Sequence, residues 1–425
     1  HMKWAFEVYR SVLTLNPTHL ACRKNMCVLL FTAGHLQEAL RWAKQLEAIA
    51  PADPEIAYFL GEIHAELDES APSIQAYRAA VEQFRAAYRF RDPDTATLIK
   101  IARCLIALGD LAKAGQCLKQ VLVQAPVLPV AHFQMGQLFE RMGQPDNALR
   151  AYRHCLKIAP DHTETLMAYS ALMAEKGRLD RSAWAYRRLL LQAPDDASLK
   201  HLLKATSQPD DRTGADERYV QDVFDAYAAH FDDHLVNTLS YQVPELAWAL
   251  YARTMPSRCD LFTVDLGCGT GLCGPYFRSL SKRLVGIDLS ASMLDKAAER
   301  QCYDALAQQD LVAGLRPFNA VVDLALAADV FVYVGDLASV FVACVRALAE
   351  GGHLLFSVES TTHPSGVVLH PSGRYQHSDA YILAMAQAHH FSVVVREAIN
   401  VRMENGHPVK GALFLLQKER LCWGV

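Results

Sequence analysis

A strand that runs into closely spaced glycines is the segment of this sequence best suited to holding a ligand. The mainly apolar residues 261–266 precede glycines at 267, 269 and 271, and a second apolar strand ends on Asp288. A glycine-rich turn between strand and helix lets a ligand approach the backbone, and an acid ending the next strand can bind a ribose diol. The dinucleotide fingerprint G-x-G-x-x-G would need glycine where this chain has Leu272. The spacing therefore departs from that of dinucleotide-binding proteins.

The glycine spacing is similar to that of another family. Glycines at 267, 269 and 271 resemble the first motif of the class I S-adenosylmethionine-dependent methyltransferases, and residues 285–290 resemble the second. Further segments follow in the family's order, namely 309–311, 321–330 and 351–358. The resemblance covers most of residues 217–420 and implies a Rossmann-like α/β domain with a seven-stranded, mostly parallel sheet.

The resemblance also implies a cofactor, S-adenosylmethionine, with S-adenosylhomocysteine as the product. Asp288 would hold the ribose hydroxyls, Asp310 the adenine amino group and Asp265 the methionine end. Each acid has an alternative role as a helix cap or turn residue. The cofactor-binding residues that the resemblance implies are Asp265, Gly267, Cys268, Gly269, Gly271, Asp288, Leu289, Met293, Asp310, Leu311 and Ala328.

Composition and charge limit the class of protein. The chain has 425 residues, of which 51% are hydrophobic and 21% charged, so two globular domains are expected. Its 11 cysteines lack zinc-finger spacing, which favours reduced thiols in the cytoplasm and no metal site. No apolar run is long enough to span a membrane. Residues 1–205 carry 25 basic and 21 acidic residues and residues 206–425 carry 17 and 25, so no basic stripe for nucleic acid is expected.

The amino-terminal half repeats every 34 residues. Pro126, Pro160 and Pro194 keep this interval, and so do three glycines that begin at Gly109. The pattern resembles the tetratricopeptide repeat, an α-helical hairpin that stacks into a curved superhelix with a concave surface. We expect five complete units between about 18 and 195. Residues 3–17 look like the second helix of an earlier unit, so the sequence is expected to begin inside a longer array.

The predicted organisation is a repeat domain over 1–204, a polar linker over 205–216 and a methyltransferase domain over 217–425. Because each half is expected to bury its own core, a fragment beginning near Asp210 should fold and bind cofactor. The repeats are expected to bind a protein or peptide partner through their groove. A spacer role and a second copy of this chain, giving a homo-oligomer, stay open as alternatives.

Two segments outside the cofactor motifs are candidates for the acceptor site. In residues 224–235, Tyr227, His230, Phe231 and His234 fall on one helical face, which resembles the helix that covers the cofactor in small-molecule methyltransferases. Core packing with solvated histidines is the alternative, and a metal pair of histidines lacks a third ligand. Tyr227 and His230 are the predicted catalytic groups of this segment.

The second candidate is the polar turn 371–378, which follows the fifth strand. Arg374 could bind an acidic acceptor, and Tyr375 or His377 could donate a hydrogen bond or act as a base. A surface loop with incidental polar residues is the alternative. The chain is similar to bacterial methyltransferases with amino-terminal tetratricopeptide repeats, which leaves three hypotheses. It is a methyltransferase whose repeats recruit a protein, peptide or carrier-bound acceptor, a small-molecule O- or N-methyltransferase whose repeats serve assembly, or a repeat scaffold with a degenerate catalytic half.

Overall fold

The chain divides into two compact units, His1–Leu172 and Met173–Val425. The structure, a computed structural model, describes residues 2–67, 70–88, 93–228, 231–233, 235, 239–255, 258–404 and 407–420. None of the helices in these ranges is long and apolar enough to cross a membrane. The division falls before the predicted linker, so the last helices of the predicted repeat domain belong to the second unit.

The first unit is built of helices in antiparallel pairs, as the 34-residue period predicts. Its helices are α1 (Met2–Leu15), α2 (Leu20–Thr32), α3 (Leu36–Ile49), α4 (Pro54–Glu66), α5 (Ser70–Ala87), α6 (Thr95–Ala107), α7 (Leu111–Gln124), α8 (Pro129–Arg141), α9 (Pro145–Ile158) and α10 (Thr163–Glu175), the last of which extends past the division. In the pairs α4–α5 and α8–α9, a glycine of the first helix receives a tyrosine ring of the second. A Cβ atom on Gly136 would lie 2.1 Å from the ring of Tyr152, which explains this pairing in the repeat pattern.

The second unit begins with two helices that the sequence assigns to the repeats, α11 (Leu179–Gln192) and α12 (Ala197–Ser207). Its other elements are α13 (Glu217–Tyr227), α14 (Phe231–Asp233), α15 (Val243–Thr254), β1 (Leu261–Leu266), α16 (Gly274–Phe277), β2 (Ser281–Asp288), α17 (Ala291–Glu299), β3 (Ala305–Gln308), α18 (Leu311–Leu315), β4 (Val322–Ala327), α19 (Ala338–Ala347), β5 (Leu348–Ser360), β6 (Val367–Leu369), β7 (Tyr375–His377), α20 (Asp379–Ala388), β8 (Phe391–Glu404) and β9 (His407–Lys418).

The sheet of the second unit is the predicted one, with an addition. Parallel strands lie in the order β3-β2-β1-β4-β5, and β9 pairs antiparallel with both β5 and β8. These seven strands confirm the mostly parallel sheet expected from the sequence. The sequence predicts a polar turn at 371–378, but part of this segment forms strand β7 of a short β6–β7 hairpin. Strand β7 pairs with the end of β5. Because strand order reverses between β1 and β4, a crevice is expected at the carboxyl ends of these strands.

Helix α12 packs against the β6–β7 hairpin. Ala205 shares a hydrophobic cluster with Val367, Leu369 and Tyr375. The imidazole of His201 shares a 2.7 Å hydrogen bond with the carbonyl of Gly373, in the turn of the hairpin. Helix α12, which lies largely within the predicted repeat domain, is therefore part of the core of the second unit.

The segment predicted as a linker, 205–216, is also fastened to the α/β domain. The carbonyl of Pro209 accepts a 2.8 Å hydrogen bond from Leu369, and the carbonyl of Arg212 accepts one of 2.9 Å from Asp336. Ala215 donates a third, of 3.0 Å, to the carbonyl of Tyr333. These backbone contacts differ from the solvated connection that its polar composition indicated, because the segment's carbonyl and N–H groups find partners in the domain.

Candidate functional site

A cavity of about 750 Å³ opens at the carboxyl ends of β1, β2 and β4. Its volume is in the range of small-molecule and cofactor sites. Apolar side chains form much of its wall, including Phe224 of α13, Phe231 of α14 and Val330 after β4. The cavity lies at the point of strand reversal, where open α/β sheets bind ligands.

The glycine-rich loop after β1 forms one wall of the cavity. Gly267 and Gly269 have φ angles of +63° and +53°, which side chains with a Cβ rarely adopt. A Cβ atom on Gly267 would lie 2.7 Å from Val330, whereas the nearest atom to one on Gly269 is 4.0 Å away, on Phe231. The backbone at Gly269 therefore faces open space, where a ligand can approach it closely.

Asp288, at the end of β2, holds this loop in place. Its carboxylate accepts hydrogen bonds of 2.8 Å from the N–H of Gly269 and 2.9 Å from the N–H of Ser290. Burial raises the pKa of Asp288, and the two N–H donors partly offset this effect. Each carboxylate oxygen can accept more than one hydrogen bond, so the same group can also receive ribose hydroxyls.

Asp310 lies on the same side of the cavity and caps a helix. Its Oδ1 accepts hydrogen bonds from the N–H groups of Val312 (2.9 Å) and Ala313 (3.0 Å), at the start of α18. The cap and the ligand role were alternatives in the sequence. The structure shows the cap, and it also places Asp310 and Leu311 in the cavity wall.

Asp265, near the end of β1, is 1% exposed and lines the cavity. Burial raises its pKa to about 7, against the effect of a hydrogen bond from the Tyr303 hydroxyl, and the neighbouring Asp288 adds to the increase. A cation that entered the cavity beside this carboxyl would favour its charged form and lower its pKa.

Most of the residues predicted to bind cofactor meet at the cavity. Those that line it are Asp265, Gly267, Cys268, Gly269, Asp288, Leu289, Asp310, Leu311 and Ala328. Two do not. Met293 is fully buried on α17, and Gly271 lies against the ring of Tyr303. These two residues therefore pack behind the cavity wall and do not face its interior.

The predicted acceptor residues of the turn need correction. Tyr375 and His377 are fully buried and do not line the cavity. Tyr375 packs in the hydrophobic cluster with α12, and His377 shares a 3.0 Å hydrogen bond with the carbonyl of Gly335. Burial lowers the pKa of His377 to about 4. Because successive side chains of a strand point to opposite faces, Tyr375 and His377, which are two residues apart, both point into the core.

The other two predicted catalytic groups lie outside what the structure describes. The side chain of Tyr227 and all of His230 are not among the described residues. Helix α13 ends at Tyr227, and the next helix, α14, begins at Phe231. A single helical face from Tyr227 to His234, as the spacing suggests, therefore stays a prediction.

Arg374 is the residue of the turn that reaches the cavity. Its Nη1 lies 3.8 Å from Glu359 Oε1 and 3.9 Å from Glu404 Oε2. Arg402, which is 3% exposed, donates a 2.6 Å hydrogen bond to the same Glu359. Asp329 also lines the cavity, and its Oδ2 lies 3.7 Å from Arg402 Nη1. The far end of the cavity is thus bordered by a network of paired charges.

The attachment of helices α13 and α14 to the rest of the domain is not evident from the sequence. Asp225 of α13 accepts a hydrogen bond from the hydroxyl of Ser290, and Asp232 of α14 accepts bonds from Thr270 and Arg300. These contacts hold α13 and α14 against α17 and the glycine-rich loop. Asp225 and Asp232 are evident in the sequence, but their partners lie 38 to 68 residues away along the chain. No cluster of side chains suited to a metal occurs in the part of the chain that the structure describes.

Comparison with known proteins agrees with this geometry. A family model described as a methyltransferase domain matches residues 264–356, and tetratricopeptide repeat models match residues 4–63, 141–205 and 96–126. The chain therefore combines tetratricopeptide repeats with a methyltransferase domain. The cofactor of this domain is S-adenosylmethionine. The cavity fits it, because the open backbone at Gly269, the Asp288 carboxylate and the buried Asp265 offer groups for its adenosyl and amino ends.

Individual relatives match only part of the chain. An 18S rRNA (guanine-N(7))-methyltransferase of Bos taurus is 34% identical over 81 residues, 19% of this chain and 28% of the relative. A malonyl-[acyl-carrier protein] O-methyltransferase of Yersinia pestis is 33% identical over 94 residues, 22% of this chain and 35% of the relative. The chain thus spans about a third of the length of these relatives. The magnesium protoporphyrin IX methyltransferase of Synechocystis is 16% identical, with a TM-score of 0.38, 48% of this chain covered and 99% of that one.

Proposed function

We propose that the chain is an active S-adenosylmethionine-dependent methyltransferase whose repeats recruit a protein, peptide or carrier-bound acceptor that carries an acidic group. The observation that carries the proposal is the extension of the cavity beyond the predicted cofactor residues to Arg374 and Asp329. A cofactor pocket alone does not need this charged end. A guanidinium suits the planar geometry of a carboxylate.

A carboxylate acceptor also suits the groups around the cavity. Methyl transfer is a displacement at the cofactor's sulfonium, and a carboxylate is already ionised at neutral pH, so no base is required. Among the described residues, no histidine lines the cavity. The protein's own contribution is then to hold the acceptor through Arg374 and to exclude water with the apolar residues of α13 and α14, such as Phe224 and Phe231.

Two relatives differ in their acceptors, and charge favours one of them. One is an O-methyltransferase of a malonyl group on a carrier protein, and the other is an RNA methyltransferase. Residues 206–425 carry 17 basic and 25 acidic residues, which would repel a polyanion. Acidic groups on a carrier or peptide therefore fit this chain better than RNA.

We assign recruitment of the acceptor to the repeats because the first compact unit of the chain has a groove lined by polar side chains. A cavity of about 530 Å³ is lined by residues of α4, α5, α6 and α8, among them Glu62, Tyr77, Arg103 and Arg141. Glu62 accepts a 2.8 Å hydrogen bond from Tyr77 and pairs with Arg103. Such a groove offers both charges to a peptide or carrier segment. The predicted cytoplasmic location stays part of the proposal.

The test is methyl transfer to acceptors of graded size. Release of S-adenosylhomocysteine would be measured with a malonyl thioester on a carrier protein, the same thioester on a pantetheine fragment, and free malonate. We expect the highest kcat/KM with the carrier, and Arg374→Ala should raise KM for every acidic acceptor while leaving cofactor affinity unchanged. Equal turnover of all three would favour the small-molecule hypothesis with assembly through the repeats. Cofactor binding without transfer to these acceptors or to acidic peptides would favour the scaffold hypothesis.

A further inference from the structure

Tyr303 lies directly behind the glycine-rich loop, in the segment between α17 and β3. A Cβ atom on Gly271, Gly274 or Gly286 would lie 2.9, 3.0 or 3.1 Å from its ring. Each of these distances is tighter than ordinary van der Waals contact. Three glycines from the loop, α16 and β2 therefore make room for one aromatic ring, which confines Tyr303 to a single position.

The hydroxyl of this confined ring points to the cavity side of the sheet. It donates a 2.7 Å hydrogen bond to Oδ2 of Asp265. Asp265 is 1% exposed, yet it lines the cavity. A donor on a rigid ring fixes the orientation of its acceptor more strictly than one on a flexible side chain. The carboxylate plane of Asp265 is therefore set by Tyr303.

Asp265 lacks a cationic partner within the described part of the chain. The titratable groups that interact with it are Tyr303, Asp288, Cys268, Cys273 and Tyr241. All of these are neutral or acidic, and no lysine, arginine or histidine among the described residues forms an ion pair with Asp265. A buried carboxylate in such surroundings is costly unless a ligand supplies the positive charge.

We infer that Tyr303 is a positioning residue that aims the Asp265 carboxylate at the ammonium group of the bound cofactor. The inference rests on the proposed use of S-adenosylmethionine. That molecule carries an ammonium group, as does S-adenosylhomocysteine, and so supplies the cation that the protein does not. Tyr303 itself touches neither the cofactor nor the acceptor in this scheme and acts only through Asp265.

A dependence of cofactor affinity on pH follows from this arrangement. Burial raises the pKa of Asp265 in the free protein to about 7. A bound ammonium stabilises the charged carboxylate and lowers this pKa, so binding at lower pH requires the release of a proton. Affinity should level off above the free-protein pKa, up to the pH at which the ligand's own ammonium loses its proton, and should fall about tenfold per pH unit below the free-protein pKa. The Tyr303 hydrogen bond lowers that pKa, so its loss should move the fall in affinity to higher pH.

The experiment is calorimetric titration of the full chain with S-adenosylhomocysteine at a series of pH values from about 5.5 to 9. Tyr303→Phe keeps the ring that the three glycines accommodate and removes only the hydroxyl. We expect the pH at which affinity begins to fall to rise by about one unit, so affinity near pH 6 drops about tenfold while that at pH 9 changes little. Asp265→Asn should remove this pH dependence.

Tyr276→Phe is the matched control, because Tyr276 is 37% exposed on α16 and does not line the cavity. It should leave the pH profile unchanged. A Tyr303→Phe profile that falls equally at every pH would show a merely structural role and overturn the inference, as would an unshifted profile. Failure of the unsubstituted chain to bind at any pH would overturn the proposed function as well, so the two failures can be told apart.

Discussion

Replacement of Asp288 by alanine tests the part that this carboxylate has in binding cofactor and in holding the glycine-rich loop. The carboxylate accepts hydrogen bonds of 2.8 and 2.9 Å from the N–H groups of Gly269 and Ser290. Under the proposed function it also accepts from the ribose hydroxyls. A hydrogen bond to a charged group contributes about 1.5–3 kcal/mol. We therefore expect Asp288→Ala to weaken binding of S-adenosylhomocysteine about ten- to a hundredfold.

The same substitution should also destabilise the domain, since two backbone donors lose their acceptor. A cost of about 2 kcal/mol corresponds to a fall of roughly 4–8 °C in Tm for a domain of this size. Calorimetric titration well below both transition temperatures measures affinity, and thermal unfolding measures stability.

Asp323→Ala provides the matched control. Asp323, at the start of β4, accepts a 2.8 Å hydrogen bond from the N–H of Phe262, at the start of the neighbouring strand β1. Neither residue lines the cavity. The substitution should lower Tm without changing affinity. The reasoning would be refuted if Asp288→Ala bound cofactor as tightly as the unsubstituted chain, or if Asp323→Ala lost affinity to the same degree.

Two further predictions concern the loop and the domain boundary. Gly269→Val should lower cofactor affinity by at least about tenfold, because a β-branched side chain fits poorly at φ +53° and enters the cavity. Gly351→Val, at φ +73° and away from the cavity, is the control for backbone strain. Equal losses of affinity in calorimetric titration of the two variants would contradict the steric argument. A fragment of residues 173–425 should unfold cooperatively and bind S-adenosylhomocysteine, whereas residues 209–425 should not, contrary to the expectation from sequence. Removing α12 uncovers Val367, Leu369 and Tyr375 at about 1.5–3 kcal/mol each, a large part of a domain's stability. Circular dichroism and titration of the two fragments decide the matter.

The sheet and the cofactor side of the site could be predicted because their signals are local. Asp288 and Gly269 lie in strand and turn positions whose roles follow from neighbouring residues, and both line the cavity. Residues whose side is set by a strand or helix of known register are the ones that sequence reasoning places correctly.

The acceptor side could not be predicted because its geometry depends on contacts between distant segments. The segment 371–378 follows the three-residue strand β6 and contains the three-residue strand β7. Strands this short give no periodicity signal, so the sequence does not indicate that Arg374 faces the cavity while Tyr375 faces the core. His201, whose partner is 172 residues away, carries no local signal at all. Tyr303 was missed for the same reason, since its glycine neighbours come from three separate elements.

The attachment of α12 to the β6–β7 hairpin has a consequence for how such a protein can diversify. A repeat array can be exchanged for another only where the junction leaves the core of each unit intact. Here the polar stretch 205–216 would be a poor junction. Ala205, its first residue, and His201, just before it, are part of the core of the second unit. A recombination that keeps α11 and α12 with the sheet preserves the turn that carries Arg374. These two helices therefore act as a fixed adaptor, onto which arrays of different length and specificity can be grafted.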